Sequence, residues 1–215
     1  MGIIRQGILG GFRKKTGSVV GAYHRGQDTI RSLPRVSNKP PTQAQLDQRF
    51  KFGLITNFLA RFSSTIDQGF GTSKGITTPM NEAVSYHLRE AITGVSPNFT
   101  IDYTKLKVSG GKLELAENIE FLADTAAKLT FTWENTTPDG KNKDATDRIN
   151  LLVYNPAKGS QVILNSAAAR SALTYTLSLP GNYSGDEVHA YVSFSSIINK
   201  KLVSNSFYIG LIMIV

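Results

Sequence analysis

Three histidines, His24, His87 and His189, and one acidic stretch are the residues whose types could support metal or acid–base chemistry. The histidines lie far apart along the chain, and there is no cysteine. A thiolate metal site, a cysteine nucleophile and a disulfide framework are therefore excluded, and a zinc centre has too few ligands. Glu134, Asp139, Asp144 and Asp147 share one polar segment, but their spacing misses the calcium-loop register and Lys141, Lys143 and Arg148 are interleaved with them. Glu114, Glu117 and Glu120 recur every three residues in a stretch that reads as strand or turn, which predicts a solvated face. Gly181-Asn182-Tyr183-Ser184-Gly185 has the wrong spacing for a nucleophile elbow. Gly7, Gly10 and Gly11 precede no predicted helix, so they do not form a phosphate-binding loop. The reading is of a protein without catalytic residues, cofactor or metal, and not an enzyme.

What remains is charge. The 215 residues carry a net charge of +8, with a pI near 9.7. Between Met1 and Phe62 eleven Lys and Arg face only Asp28 and Asp47, so the excess lies in the first third and the remainder is almost neutral. Such asymmetry points to an anionic partner or a subunit contact. Arg5, Arg13, Lys14, Lys15, Arg25, Arg31 and Arg35 are the candidate nucleic-acid or subunit contacts. They are interleaved with Gly, Val, Tyr and Ile and form no uninterrupted polybasic tail.

The elements that must position these residues fall into three segments. Residues 1–41 combine glycines at 2, 7, 10, 11, 17, 21 and 26 with short apolar pairs such as Val19-Val20, and end on Pro34, Pro40 and Pro41. This predicts a basic, extended arm of short strands and turns, gaining stability by adding strands to its own C-terminal sheet or to a neighbour. Residues 42–95 predict two amphipathic helices. In the first, Thr42 and Gln45 fit a capping box, and Leu46, Phe50, Leu54, Phe58, Phe62 and Ile66 recur every fourth residue. The rings of this stripe, Phe52 included, read as core rather than as a base-stacking platform. The second opens on Thr78-Pro79, places His87 in its apolar stripe as a hydrogen-bonded core residue, and ends near Gly94.

Residues 96–215 predict an antiparallel β-sandwich. Leu129, Phe131 and Trp133 alternate, as do Val188, Ala190, Val192 and Phe194, and Leu106–Leu115 reads as a hairpin about Ser109-Gly110-Gly111. The whole is an α+β fold: a Gly-rich extended N-terminal arm, a two-helix segment and a C-terminal sandwich of immunoglobulin or fibronectin type. The last nine residues, Phe207 to Val215, are apolar except for Gly210. Too short to span a bilayer as a helix, the run predicts a central strand or a strand buried against another subunit through Phe207, Ile209, Leu211, Met213 and Val215. The start, MGIIRQGILGGF, is broken by Arg5 and glycines, so no secretory signal and no membrane span are expected.

Gly7-Ile8-Leu9-Gly10-Gly11-Phe12, Lys15-Thr16-Gly17-Ser18-Val19-Val20-Gly21, Lys39-Pro40-Pro41-Thr42-Gln43-Ala44-Gln45 and Gln48-Arg49-Phe50 carry a resemblance. The chain resembles an uncharacterised family of Bacteroidota and their phages, whose members start as G-x-x-G-G-F-x-x-K-x-G-x-V-V-G followed by P-x-T-x-x-Q-x-x-R-x-x-F. The middle, with Ala83-Val84-Ser85-Tyr86-His87, is similar too, so the likeness covers about residues 1–105. His24-Arg25-Gly26 stands where many members have Trp-Lys-Gly. The resemblance implies a virion or mobile-element component. The expectation is thus a structural subunit of a homomeric assembly, a capsid, spike or tail protein located in the virion or in the host cytoplasm before assembly. The alternative is a nucleic-acid-binding protein acting through its basic N-terminal third.

Overall fold

A computed structural model describes the backbone of residues 2–4 and the whole of residues 11–24, 26–36, 38–70 and 77–215. The chain forms two compact units, Met1–Gln43 and Ala44–Val215.

In the first unit β1 (Gly2–Ile4), β2 (Lys14–Thr16), β3 (Val19–His24) and β4 (Gln27–Ser32) make one antiparallel sheet in the order β1-β4-β3-β2. Two tight hairpins build it. Thr16 pairs with Val19 across a connection in which Gly17 holds φ 61°, and His24 pairs with Gln27 beside Gly26 at φ 82°. These left-handed conformations are those that glycine adopts without a steric cost. The segment expected as an extended arm thus holds a sheet whose described strands pair with one another. Its interior is slight: Gly21 and Thr29 are the buried residues among those described, and Val19, Val20 and Ile30 are half-buried.

The second unit begins with helices. α1 (Gln43–Leu59) runs through a short 3-10 turn (Ala60–Phe62) into α2 (Ser63–Gly69), and α3 (Pro79–Glu90) follows. Thr78 caps α3 by accepting the Asn81 N–H at 3.2 Å, with Pro79 in the first turn. The predicted helix pair is thus three helices, because the stripe that starts at Leu46 bends at residues 60–62. Gly94 is not a helix cap: α3 ends at Glu90, and Gly94 (φ 91°) sits in a hairpin of β5 (Ile92–Val95) and β6 (Asn98–Ile101). The predicted hairpin at 106–115 is also absent. That segment runs irregularly across the sandwich, and Leu113 bridges Ser204 in parallel.

Seven strands then form two facing sheets. β7 (Glu117–Leu122), β8 (Lys128–Glu134) and β11 (Thr174–Ser178) pair in the order β11-β8-β7. β9 (Arg148–Asn155), β10 (Ser160–Leu164), β12 (Glu187–Ser195) and β13 (Phe207–Met213) pair as β10-β9-β12-β13. Period-two alternation supplies the packing between them: Leu129, Phe131 and Trp133 meet Ile149, Leu151 and Val153 and the inward row Val188, Ala190, Val192 and Phe194. The other face of β9 and β12 receives the helices. Ile55, Phe58, Leu59, Phe62 and Ile66 pack there on Leu152, Tyr154 and Tyr191. Helices and seven strands belong to one compact unit.

Candidate functional site

The basic residues of the first unit stand on its sheet. Lys15 pairs with Val20, and Val20 with Arg31, so Lys15 and Arg31 flank Val20 in one row across three strands. Next-but-one strands lie about 9.5 Å apart, which sets the separation of the two backbones that carry these charges. Arg13, Lys14, Lys15, Arg31 and Arg35 are all exposed, and no carboxylate lies within ion-pair distance of them among the described residues. The Arg13 guanidinium sits 4.8 Å over the Tyr23 ring. Arg5 and Arg25 lie outside the described residues.

The apolar C-terminal run occupies an unexpected place. β13 is an edge strand, bonded to β12 on one side and to no strand on the other among the described residues. A bulge explains its uneven burial. Tyr208 pairs with Tyr191 and Gly210 with Ala190, so Ile209 is an extra residue and the alternation shifts by one. Beyond it Ile212 and Ile214 point into the sandwich, while Leu211, Met213 and Val215 are 47%, 59% and 57% exposed, and Phe207 is 43% exposed. Only Ile209 of the five residues singled out from sequence packs against the core. The expected central strand is thus an open edge. It carries no Lys, no Pro and no inward charge, the usual devices that discourage strand pairing.

The helix-facing side of the central strands changes character along its length. Tyr154 opposes His189, Leu152 opposes Tyr191, Asn150 opposes Ser193, and Arg148 opposes Ser195. The first two pairs are aromatic and apolar. There the Tyr103 ring lies 4.7 Å from that of His189, whose Nδ1 is 3.0 Å from the Tyr208 hydroxyl, and Tyr191 donates to the Tyr103 carbonyl at 2.6 Å. Burial pushes the Tyr191 hydroxyl well above the ordinary phenol range and lowers His189. The last two pairs are polar although α2 covers them. Beside it lies a cavity of about 350 Å³, lined by Gln68, Arg148, Ser166, Ser195, Ser196, Ile197 and Lys200. Sequence reading missed it, because its residues are single side chains, most of them polar, from α2, β9, β12 and the loops after β10 and β12.

Other polar groups are occupied structurally. His87 is wholly buried: its Nδ1 lies 2.7 Å from the Ala83 carbonyl and its Nε2 accepts the Lys107 N–H at 3.0 Å, the core role read from sequence. Asp147 pairs with buried Arg170 at 3.3 Å, and Asp144 accepts from Thr146 through backbone and side chain, so the acidic stretch is spent on its own loop. Phe58 and Phe62 are core rings 5.0 Å apart, whereas Phe50 and Phe52 are about half exposed. None of the described helices is long and apolar enough to cross a membrane.

These features define an α+β assembly of mostly antiparallel sheets with a helical segment. The chain matches DUF6266, a family of unknown function, over residues 11–210, and belongs to that family. The match extends through the β half, beyond the first 105 residues that carried the resemblance. No curated protein matches the chain. Among solved structures it is similar to the fibronectin type III domain of the human collagen alpha-1(XX) chain, at 16% identity and a TM-score of 0.34, over 49% of this chain and 90% of that one.

Proposed function

We propose that this protein is a non-enzymatic structural subunit of a homomeric assembly, a virion component of the capsid, spike or tail kind. The observation that carries the reading is the open edge of β13 with its exposed Phe207, Leu211, Met213 and Val215. An unpaired ladder flanked by apolar side chains is completed by the same strand of a second copy running antiparallel, which joins two four-stranded sheets into one. Each of the four side chains leaves roughly half its surface to cover, worth about 1 kcal/mol apiece on each copy. Backbone hydrogen bonds add about 1 kcal/mol each. That gross gain is of the same order as the cost of association, about 4–15 kcal/mol. It describes a contact that forms at high local concentration and is reinforced by further contacts in a closed assembly.

Light scattering after size exclusion, over a rising protein concentration, tests the reading. The full chain is expected to form defined oligomers, and Leu211→Lys with Met213→Lys to shift them towards monomer. A full chain that stays monomeric at every concentration overturns it. The exposed Arg13, Lys14, Lys15, Arg31 and Arg35, with no carboxylate within ion-pair distance among the described residues, favour a second reading, nucleic-acid contact through the first unit. That reading requires binding whose affinity falls steeply with salt.

A further inference from the structure

Four facts converge on the cavity beside α2. First, it replaces apolar surface at a covered position. The same face of β9 and β12 that carries Leu152 and Tyr191 turns to Asn150, Ser193, Arg148 and Ser195 where α2 lies over it. Buried polar side chains are retained only when they are satisfied or used. Second, its charge is of one sign. Arg148 and Lys200 both line it, no carboxylate does, and neither forms an ion pair among the described residues.

Third, its hydroxyls have hydrogens to give. Ser195 Oγ accepts from Asn150 Nδ2 at 3.1 Å, and Ser196 Oγ accepts from the Asn199 N–H at 3.3 Å. Each hydroxyl takes one hydrogen bond on a lone pair and keeps its own hydrogen to donate. Ser195 has one alternative acceptor, Asn150 Oδ1 at 3.5 Å, which already takes the Ser166 N–H at 2.8 Å. Ser166 itself is held at φ 57°, a left-handed conformation that costs a serine energy and keeps its place on the rim. Fourth, a narrow polar cleft shares Gln68 with the cavity. It is lined by Asn150, Ser193 and Thr65, whose buried Oγ1 has no hydrogen-bond partner.

We propose that this cavity binds a small molecule by an anionic head group, phosphate or carboxylate, held by Arg148 and Lys200 and by the hydroxyls of Ser195 and Ser196. Cations together with hydroxyl donors are the complement of an oxyanion. A volume near 350 Å³ leaves room for a body attached to the head group, at the lower end of the range for small-molecule sites. The site is independent of the β13 edge and of the basic sheet, and stands whichever of the two readings of function holds.

Three ligands of similar size separate the possibilities by titration calorimetry at low ionic strength: glucose 6-phosphate, gluconate and glucose. Binding of glucose 6-phosphate, gluconate or both without binding of glucose is expected, and names the head group. Lys200→Gln, on an exposed loop, is expected to weaken it about tenfold, and Arg148→Gln at least as much. Lys15→Gln with Arg31→Gln, on the first-unit sheet, is expected to leave it unchanged. Absence of binding by both anions overturns the proposal. So does equal binding of all three ligands, full affinity in Lys200→Gln, or loss of binding in the first-unit variant.

Discussion

Acidification from about pH 7 to about pH 5 is expected to destabilise the second unit, and His87 supplies much of the effect. Its ring is neutral in the fold by construction. The Nδ1 hydrogen is donated to the Ala83 carbonyl, which leaves Nε2 as the acceptor of the Lys107 N–H. A proton on Nε2 would turn that acceptor into a donor aimed at a donor. The Tyr86 ring packs edge-on at 5.3 Å and the Lys107 ammonium lies over that ring, so the Ala83 carbonyl is the one described partner that favours a positive imidazole. Burial accordingly lowers His87 from the ordinary 6.5 despite the opposing pull of the Ala83 carbonyl. The folded state therefore binds fewer protons than the unfolded one across the interval below 6.5. The stabilisation is complete above the unfolded value and is lost as pH falls towards the depressed folded one. The slope reaches at most about 1.4 kcal/mol per pH unit for each such group. His189, also lowered by burial, adds a smaller contribution of the same sign. Carboxylates do not confuse the window, since the depressed Asp102, Glu117, Asp144 and Asp186 withdraw their contributions only below their ordinary values of 3.8 and 4.5. Urea denaturation at half-unit pH steps, followed by helix ellipticity, measures the slope. His87→Gln should cost about 1–3 kcal/mol at the alkaline end, where an unsatisfied Lys107 N–H remains, and should flatten the pH dependence. A wild-type stability independent of pH over this interval would refute the argument, as would an unchanged slope in the variant.

Two further perturbations test the packing. Arg170 and Asp147 are buried together, with Arg170 also donating to the Glu114 carbonyl at 2.6 Å and lying 4.3 Å over the Phe194 ring. Arg170→Met should cost about 3–5 kcal/mol by stranding the Asp147 carboxylate, and Arg170→Met with Asp147→Asn should recover part of it; additive losses in a double-mutant cycle would contradict this. A Cβ at Gly111 would stand 2.0 Å from the Val203 carbonyl oxygen, whereas one at Gly140 would meet nothing within 4 Å. Gly111→Ala should therefore lower the thermal midpoint by several degrees, the equivalent of about 1–3 kcal/mol, while Gly140→Ala stays within about 0.5 kcal/mol of the parent.

Where the sequence was informative, a single periodicity governed the residues. The row Leu129, Phe131, Trp133 and the row Val188 to Phe194 alternate because one face of each strand meets the sandwich core, and both appear as strands at β8 and β12. Thr78-Pro79 marked a helix start because its signal is local. The failures have physical causes of other kinds. Residues 106–115 show strand-like alternation, yet their partners are Gly69, Val203 and Ser204, far along the chain. Burial of the β13 run was misjudged because hydrophobicity does not reveal whether a strand lies at the centre or the edge of a sheet, and a one-residue bulge reverses its phase. The fourfold stripe from Leu46 overstated the helical core. Phe50 and the neighbouring Phe52 are about half exposed, and full burial begins at Ile55. The cavity beside α2 was illegible because Gln68, Arg148, Ser166, Ser195, Ser196 and Lys200 come together only through the pairing of β9 with β12 and the placement of α2 next to them.

β9 and β12 serve as a party wall. Leu151 and Val192 face one core and Leu152 and Tyr191 the other, although each strand is a single row of residues. Neither core can lose this wall and remain closed, so the helical layer and the three-stranded layer cannot melt in turn. Trp133, the sole tryptophan, lies in the core away from the helices and packs edge-on against Phe194 at 6.2 Å. Its emission and the helical ellipticity sample opposite sides of the wall, and cooperativity requires that their transitions coincide.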